Sequence, residues 1–301
     1  MVDSLNDKDW QLLLGRIATG KCTPFLGAGA CVGTLPLGSE IAKIWAVNYK
    51  YPLQDSNDLL RVSQYLSILY DPMFPKEELV KNWFKSITPP NFSEQDEPHG
   101  VLSDLPFPIY ITTNYDDFLV QALKNRKKKP AQEICKWNQL VSDQPSRFDK
   151  KNVYTPTNEE PLVFHLHGHS GITESMVLTE DDFLDFLVNV SRYEKLLPHQ
   201  IKRALAGTSL LFIGYRLSDW NFRMIFRGLV STTEPSLRRI NVTVQLPPST
   251  DASKDIQDLE KHYLNSYFEK MDVKVYWGTA REFAGELRSR WEDFIESRPN
   301  K

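Results

Sequence analysis

Apolar positions along this chain fall into two kinds of run. Short continuous stretches bounded by small or polar residues occur at Thr23–Leu26, Ile109–Thr113, Leu162–Leu166, Ser209–Gly214, Ile240–Leu246 and Asp272–Trp277. Such runs are the pattern of strands buried on both faces. Between them the apolar spacing is helical: Asn6–Ala18 with Gly20 as its stop, then a helix opened by Ser39 and Glu40 and reaching about Tyr49. Leu59, Leu60, Val62, Tyr65, Leu66 and Leu69, followed by Leu79, Val80, Trp83 and Phe84, continue that spacing. Further helices are expected from Asp117 to about Lys127, from Thr179 to about Val190, after Asp219, and over Arg281–Ser297. Strands alternating with helices predict an α/β chain: a mostly parallel sheet with helices on both faces. The whole of 1–301 reads as one domain, with a helical insertion over 58–105 whose periodic part is Asp58–Ile87. The stretch Lys128–Pro161, rich in Pro, Asn, Gln and Lys, reads as loop.

The ends of the first four apolar runs carry the candidate chemistry. They are Gly27-Ala28-Gly29-Ala30-Cys31, Thr113-Asn114-Tyr115-Asp116, His167-Gly168-His169 and Gly214-Tyr215 through Asp219. In an open parallel sheet, ligands bind beyond the carboxyl ends of the strands, so these motifs would converge on one crevice. A Gly-Ala-Gly turn after a strand lets backbone N–H groups approach a pyrophosphate, though it equally makes a tight strand-to-helix turn. The spacing is not that of a dinucleotide fingerprint, since Val32 stands where a third glycine belongs. Gly15–Lys21 imitates a P-loop but follows a helix and ends in Cys22 where Ser or Thr would hold magnesium. Asn114 and Asp219 could each be only a helix cap, yet Asp116 and Asp117 can cap the helix after Asn114 and free its amide for a ligand. Of the alternating histidines, His165 is expected inside the strand in a structural role. His167 is expected at the strand end, in contact with a ribose or acting in catalysis, with an ordinary pKa near ~6.5 suited to proton uptake.

Composition narrows this picture. The net charge is −3, which advertises neither nucleic acid nor an anionic membrane as partner. The run Lys124–Lys129 is most simply a solvated helix end, where cations suit the macrodipole. Three cysteines, Cys22, Cys31 and Cys135, are too few for a four-cysteine zinc ribbon, and no metal is expected. Acidic residues over Met1–Asp7 leave no basic, apolar signal segment, and no run approaches the ~18 apolar residues of a spanning helix. A cytoplasmic protein with no membrane contact is therefore expected.

Taken in order, the motifs resemble the sirtuin-like superfamily. Gly27–Cys31 resembles its Gly-Ala-Gly-x-Ser loop with Cys31 in the serine position, and Thr113–Asp116 its Asn-containing strand end. His167-Gly168 is similar to its catalytic His-Gly, and Gly214–Asp219 to its adenosine-side loop. The departures matter too: there is no zinc ribbon, no Gly-Ile-Pro-x-Phe-Arg segment, and Thr113 replaces Gln. What remains is similar to the sirtuin-like NAD-hydrolysing domains of bacterial anti-phage defence systems. That resemblance implies a Rossmann-like sheet and NAD as substrate rather than as retained cofactor. It implies catalytic roles for Asn114 and His167, and binding by Gly27, Ala28, Gly29, Ala30, Cys31, Thr113, Asp116, Gly214, Tyr215 and Asp219. A homo-oligomer is also expected, together with a separate partner such as a HerA-like ATPase or another defence-system subunit.

The chemistry such a site would need is modest. Nicotinamide leaves a cationic pyridinium as a neutral molecule, so no acid is required at the leaving group, and the protein must stabilise an oxocarbenium-like ribose and deliver water. Two other readings stand beside NAD hydrolysis: an NAD-dependent protein deacylase, and a catalytically silent nucleotide-binding subunit.

Overall fold

The computed structural model describes residues 5–149, 154–193, 196–215, 240–247 and 254–297. Among these the strands are β1 (Cys22–Leu26), β2 (Ile109–Thr112), β3 (Ala131–Ile134), β4 (Leu162–His165), β5 (Ser209–Ile213), β6 (Asn241–Gln245) and β7 (Val273–Trp277). The helices are α1 (Asp7–Ala18), α2 (Gly38–Asn48), α3 (Leu59–Leu69), α4 (Phe74–Leu79), α5 (Pro98–Asp104) and α6 (Phe118–Asn125). They continue with α7 (Glu180–Arg192), α8 (His199–Gly207), α9 (Lys254–Glu269) and α10 (Ala280–Glu296).

The strands form one 7-stranded sheet in the order β3-β4-β2-β1-β5-β6-β7, with every pairing parallel. The expected α/β, Rossmann-like architecture is what the chain adopts. After β1 the chain builds the sheet toward β3, and from β5 it builds the other way, so the order reverses at β1. In open α/β sheets a ligand crevice lies outside the carboxyl ends of the strands at such a reversal, which here is the end of β1. The register sharpens it: Leu26 pairs with Thr112 and with Ile213, and Thr112 pairs with His165. The motif-bearing strands therefore end in one row, and the residues after them emerge side by side.

Adjacent residues of each strand point to opposite faces, which splits the core. Leu26, Tyr110, Val163 and Leu211 meet Trp10, Leu13 and Ile17 of α1, Leu102 of α5, and Phe283 and Leu287 of α10. Phe25, Ile111, Phe164 and Phe212 meet Phe186 of α7, Ile201 and Leu205 of α8, and Phe268 of α9. Each fully buried aliphatic or aromatic side chain of this kind stabilises the fold by roughly 1.5–3 kcal/mol. Helix starts follow local chemistry. Asn6 caps α1 by accepting from Asp9 N at 3.0 Å, and Thr179 caps α7 by accepting from Asp182 N at 3.0 Å. Gly20, at φ +63°, follows the end of α1, which is the helix stop expected there and not a phosphate loop.

Several expectations are corrected. The stretch expected as loop contains β3, an edge strand: Gln132 and Glu133 make it look polar, but its backbone pairs with β4 from Ala131↔Leu162 to Ile134↔His165. Residues 199–207 and 254–269, to which the sequence reading gives no element, are helices α8 and α9. Helix α9 fully buries Phe268, packs Leu264 and Tyr267 against the core and leaves much of its length exposed. Within 58–105, α3 and α4 join α2 in a separate layer in which Trp45, Val62, Leu66 and Leu79 pack on Met176 and Leu178. Helix α5 contributes Val101 and Leu102 to the main core. The helix expected after Asp219 lies outside the described residues.

Candidate active site

The β1 and β5 ends close on one another through glycine. Gly27 N donates to Ile213 O and Gly29 N to Gly214 O, both at 2.9 Å. A Cβ on Gly29 would stand 2.8 Å from Gly214 Cα, and one on Gly214 2.4 Å from Ala30 N, with Gly214 already at φ +83°. Only glycine permits this approach. The contact also narrows the expected anion cradle: Gly29 N is committed to Gly214 O, and Ala30 N to Gly27 O at 3.0 Å, inside the loop. Ala28, at the exposed start of the 3-10 turn Ala28–Cys31, is the part of the cradle that faces solvent.

Asn114 sits where β1 and β2 end. Its backbone N–H donates to Thr112 Oγ1 at 3.0 Å, and its carbonyl accepts from His165 Nδ1 at 3.2 Å. Its side-chain Nδ2 donates to Gly27 O at 3.1 Å and to Cys31 Sγ at 3.2 Å. Both hydrogens of the amide are thereby used, and Oδ1 has no partner among the described residues. Asn114 is not the helix cap that its position allows: Asp117 is the N-cap of α6, and Asp116 Oδ1 accepts from Phe118 N at 2.9 Å. The side chain left to meet a ligand is an immobilised carbonyl oxygen, a hydrogen-bond acceptor.

Asp116 turns inward, with Oδ2 accepting from the Cys31 thiol at 3.3 Å. Its two oxygens are thus engaged within the protein, where they support the loop. Burial, and then the carboxylates of Asp116 and Glu97, push the Cys31 thiol well above its ordinary range, so it is an S–H donor rather than a thiolate. Behind it lie two residues that the sequence reading missed. His99 Nε2 is 3.9 Å from Cys31 Sγ, and His99 Nδ1 is 2.7 Å from Glu97 Oε1. Glu97 and His99 are 2% and 1% exposed, unusual for either type unless paired. The Glu-x-His spacing at the start of a Pro-led helix is the one sequence signal that marks them.

The histidines of β4 divide. His165 is inside the strand as expected: Nδ1 donates to Asn114 O and Nε2 accepts from Gln132 Nε2 at 3.1 Å. His169 Nδ1 accepts from Gly171 N at 3.0 Å, so its hydrogen is on Nε2, which donates to Asp117 Oδ1 at 2.9 Å. Burial, reinforced by His169, brings His165 down to about 4, and the His169 hydrogen bond brings Asp117 down to about 2. His167 lies edge-on to Phe186 at 5.0 Å and to Phe183 at 6.1 Å, with Nε2 buried and without a hydrogen-bond partner among the described residues. Burial lowers it to about 3. Burial thus disfavours the proton uptake expected near neutrality, and a buried ring nitrogen without a partner among the described residues suits a ligand's polar group.

Thr113 Oγ1 is 2.8 Å from Tyr215 OH, and that hydroxyl donates to Leu26 O at 2.8 Å, drawing the β2 and β5 loops together over β1. The Tyr215 ring lies edge-on to Phe25 at 5.7 Å. Asp219 lies outside the described residues. Cys31, His99 and Asp116, and likewise Asp117, His165 and His169, bring donor atoms within 4.8 Å, close enough to share an ion. The hydrogen bonds above already engage the donor atoms of Cys31, Asp116, Asp117, His165 and His169.

A parallel sheet with polar strand ends gathered at its reversal point defines an open α/β protein with a candidate ligand site there. Residues 108–276 match the SIR2-like domain family, and the chain belongs to it, as the motifs led one to expect. The matched span takes in Asn114, His167 and Gly214, while the Gly27–Cys31 loop and the Glu97–His99 pair precede it. The chain is 28% identical over 142 residues to the NAD(+) hydrolase ThsA of Enterococcus faecium, covering 46% of this chain and 26% of that protein. It is 23% identical over 176 residues to the NAD(+) hydrolase ThsA of Acinetobacter baumannii (strain 532279), covering 58% and 33%. Defense-associated sirtuin 2 of Bacillus subtilis is 24% identical over 287 residues, 85% of this chain and 25% of that protein. The chain thus spans about a quarter to a third of the length of these relatives. A solved Sir2 enzyme aligns over 97% of this chain and 100% of that one at 12% identity and a TM-score of 0.43. No helix among the described residues is long and apolar enough to cross a membrane.

Proposed function

We propose that this domain hydrolyses NAD+ at the nicotinamide–ribose bond, giving nicotinamide and ADP-ribose, as an effector of anti-phage defence that depletes NAD. The observation that carries the reading is Asn114: an amide whose N–H groups are tied down and whose Oδ1 is left open at the sheet's reversal point. The relatives named NAD(+) hydrolase support it. A fixed carbonyl can hold one hydrogen of a water molecule and aim its lone pair at the ribose carbon that nicotinamide leaves. Orientation of this kind supplies much of the acceleration when the leaving group departs unaided. His167, uncharged, accepts from a ribose hydroxyl through Nε2, and that hydrogen bond strengthens as positive charge grows on the ring. The exposed Ala28 turn and the Gly214–Tyr215 loop are the proposed pyrophosphate and adenosine sides.

Incubation with NAD+, with and without an acetylated peptide, tests the reading. Nicotinamide released without peptide is the expected result. Release that requires the peptide would make the domain a deacylase, and none under activating conditions would leave it a silent nucleotide-binding subunit. We further propose that activity is controlled by assembly in the cytoplasm, as a homo-oligomer joined by a subunit such as a HerA-like ATPase. Exposed apolar side chains on the helical layer, Val47 at 79% and Ile68 at 77%, suit such contacts. Light scattering run alongside nicotinamide release at matched concentrations checks this; full activity from a strict monomer would refute it.

A further inference from the structure

The Glu97–His99 pair has no part in the chemistry proposed above, yet both residues are buried behind Cys31. Burying a carboxylate and an imidazole is unfavourable unless each is well partnered, so the arrangement of those partners is informative. Glu97 Oε2 accepts from Gly100 N at 2.5 Å, which fixes the carboxylate to the first turn of α5. Its Oε1 faces His99 Nδ1 at 2.7 Å, and because a carboxylate can only accept, Nδ1 carries a hydrogen. The His99 ring is braced edge-on against Phe118 at 5.8 Å. Its Nε2 is thereby aimed at Cys31 Sγ.

A cysteine, an imidazole and a carboxylate in sequence resemble a nucleophile–base–orienter set, but the distances exclude that role. Sγ is 3.9 Å from Nε2, while its hydrogen goes to Asp116 Oδ2 at 3.3 Å. The thiol is also 4% exposed, out of reach of a substrate carbon. Sγ instead accepts from Asn114 Nδ2 at 3.2 Å. The thiol is therefore a junction: it donates to Asp116, accepts from Asn114, and is backed by His99.

Building on the hydrolase reading, we propose that Glu97 and His99 are positioning residues that act through Cys31 to hold the Asn114 amide in the orientation that presents Oδ1 to water. The carboxylate fixes the imidazole, the imidazole packs behind the thiol at 3.9 Å and limits its movement, and the thiol with Gly27 O takes both amide hydrogens. The amide then cannot turn over to present N–H groups in place of its carbonyl. Asp116, pinned by Phe118 N, sets the direction of the S–H bond and so leaves the sulfur lone pairs toward Asn114.

The test compares Cys31→Ala, Cys31→Ser and His99→Phe by steady-state nicotinamide release and by NMR of the Asn114 side-chain amide, assigned with Asn114→Ala. Cys31→Ala removes both bonds at the junction, whereas a serine hydroxyl still donates and accepts. Cys31→Ala and His99→Phe are expected to lower kcat about tenfold or more with KM changed less than about twofold, while Cys31→Ser stays within about threefold of wild type. The Asn114 Nδ2 protons should shift and exchange faster in Cys31→Ala and His99→Phe but not in Cys31→Ser. Unmoved Asn114 resonances in a folded Cys31→Ala protein, or equal damage from Ala and Ser, would overturn the proposal. Should His99→Phe not fold, the Ala and Ser pair at Cys31 decides it. The amide resonances read the positioning even if the wild-type domain released no nicotinamide, so failure of the hydrolase reading remains distinguishable.

Discussion

Asn114 is gripped by two polar arrays that use the same residue types in different surroundings. On the α5 side, Glu97, His99, Cys31 and Asp116 are all nearly inaccessible to solvent, and they act on the side-chain amide. On the β4 side, Asp117, His169, Gln132 and His165 act on the backbone carbonyl, and the outer carboxylate of that array is 43% exposed. The dry array restrains a rotatable group, for which geometry must be imposed by buried contacts. The wetter array restrains a backbone already fixed by the register of β2 and β4, so its outer members can be solvated with little loss. Electrostatic and hydrogen-bond contributions grow as water is excluded, and disruption of the two arrays should differ accordingly.

The largest effect is expected at the group both arrays serve. Asn114→Ala should reduce nicotinamide release by on the order of 10²–10³-fold with the fold retained, the loss typical of removing an oriented polar group from a reaction centre. His167→Ala should fall in the same range, and circular dichroism alongside the assay separates lost chemistry from lost structure. Near-normal turnover in either folded variant would detach the crevice from the reaction.

Next in size is the inner member of the wetter array. His165→Leu leaves the Asn114 carbonyl without its His165 hydrogen bond and should lower the free energy of unfolding by about 1–3 kcal/mol in a urea titration. Unchanged stability would mean that the backbone grip at β4 contributes nothing.

Acid pH sharpens the contrast through the same residue. The unfolded chain binds a proton on His165 near its ordinary value of 6.5, whereas the folded chain resists until about 4. Stability is therefore fully present above about pH 6.5 and is lost as pH falls toward 4, by roughly 3 kcal/mol if that shift acts alone. His167, lowered to about 3, extends the loss in the same direction. Thermal unfolding followed from pH 7 to pH 4 should show a shallower decline in His165→Gln than in wild type. Parallel curves would contradict this origin.

The smallest effect is expected at the exposed end of the wetter array. Asp117→Asn keeps the shape and removes a charge that solvent already screens, so stability should change by less than about 1 kcal/mol and turnover by less than about threefold. A loss as large as that of His99→Phe would erase the distinction between the arrays.

The strands that carry the site were legible because each is an uninterrupted apolar run ending in small polar residues, a signal that depends on neighbouring positions alone. For the same reason Gly27–Cys31, Thr113–Asp116, His167-Gly168 and Gly214-Tyr215 could be placed at strand ends before their contacts were known. Edge strand β3 was not legible, since a strand paired on one side and half solvated writes no apolar run. Helix α9 escaped notice for a similar reason, as it buries little of its surface.

What the local pattern determined, then, was which residues arrive at the crevice. What each one does there depends on partners distant in the chain, and only the tertiary structure decides that. The Cys31 thiol meets Asp116 and His99 across separations of 85 and 68 residues, and Asn114 reaches Gly27 across 87. Those meetings turn Asp116 inward, free one oxygen of Asn114, and give Glu97 and His99 a role that no neighbouring residue reveals. They also bring the His167 ring against Phe183 and Phe186, where burial lowers its pKa. Strand propensity is a short-range property of the backbone and its flanking side chains. Hydrogen-bond partnership and desolvation are properties of the packed interior, and they exist only after the sheet has closed.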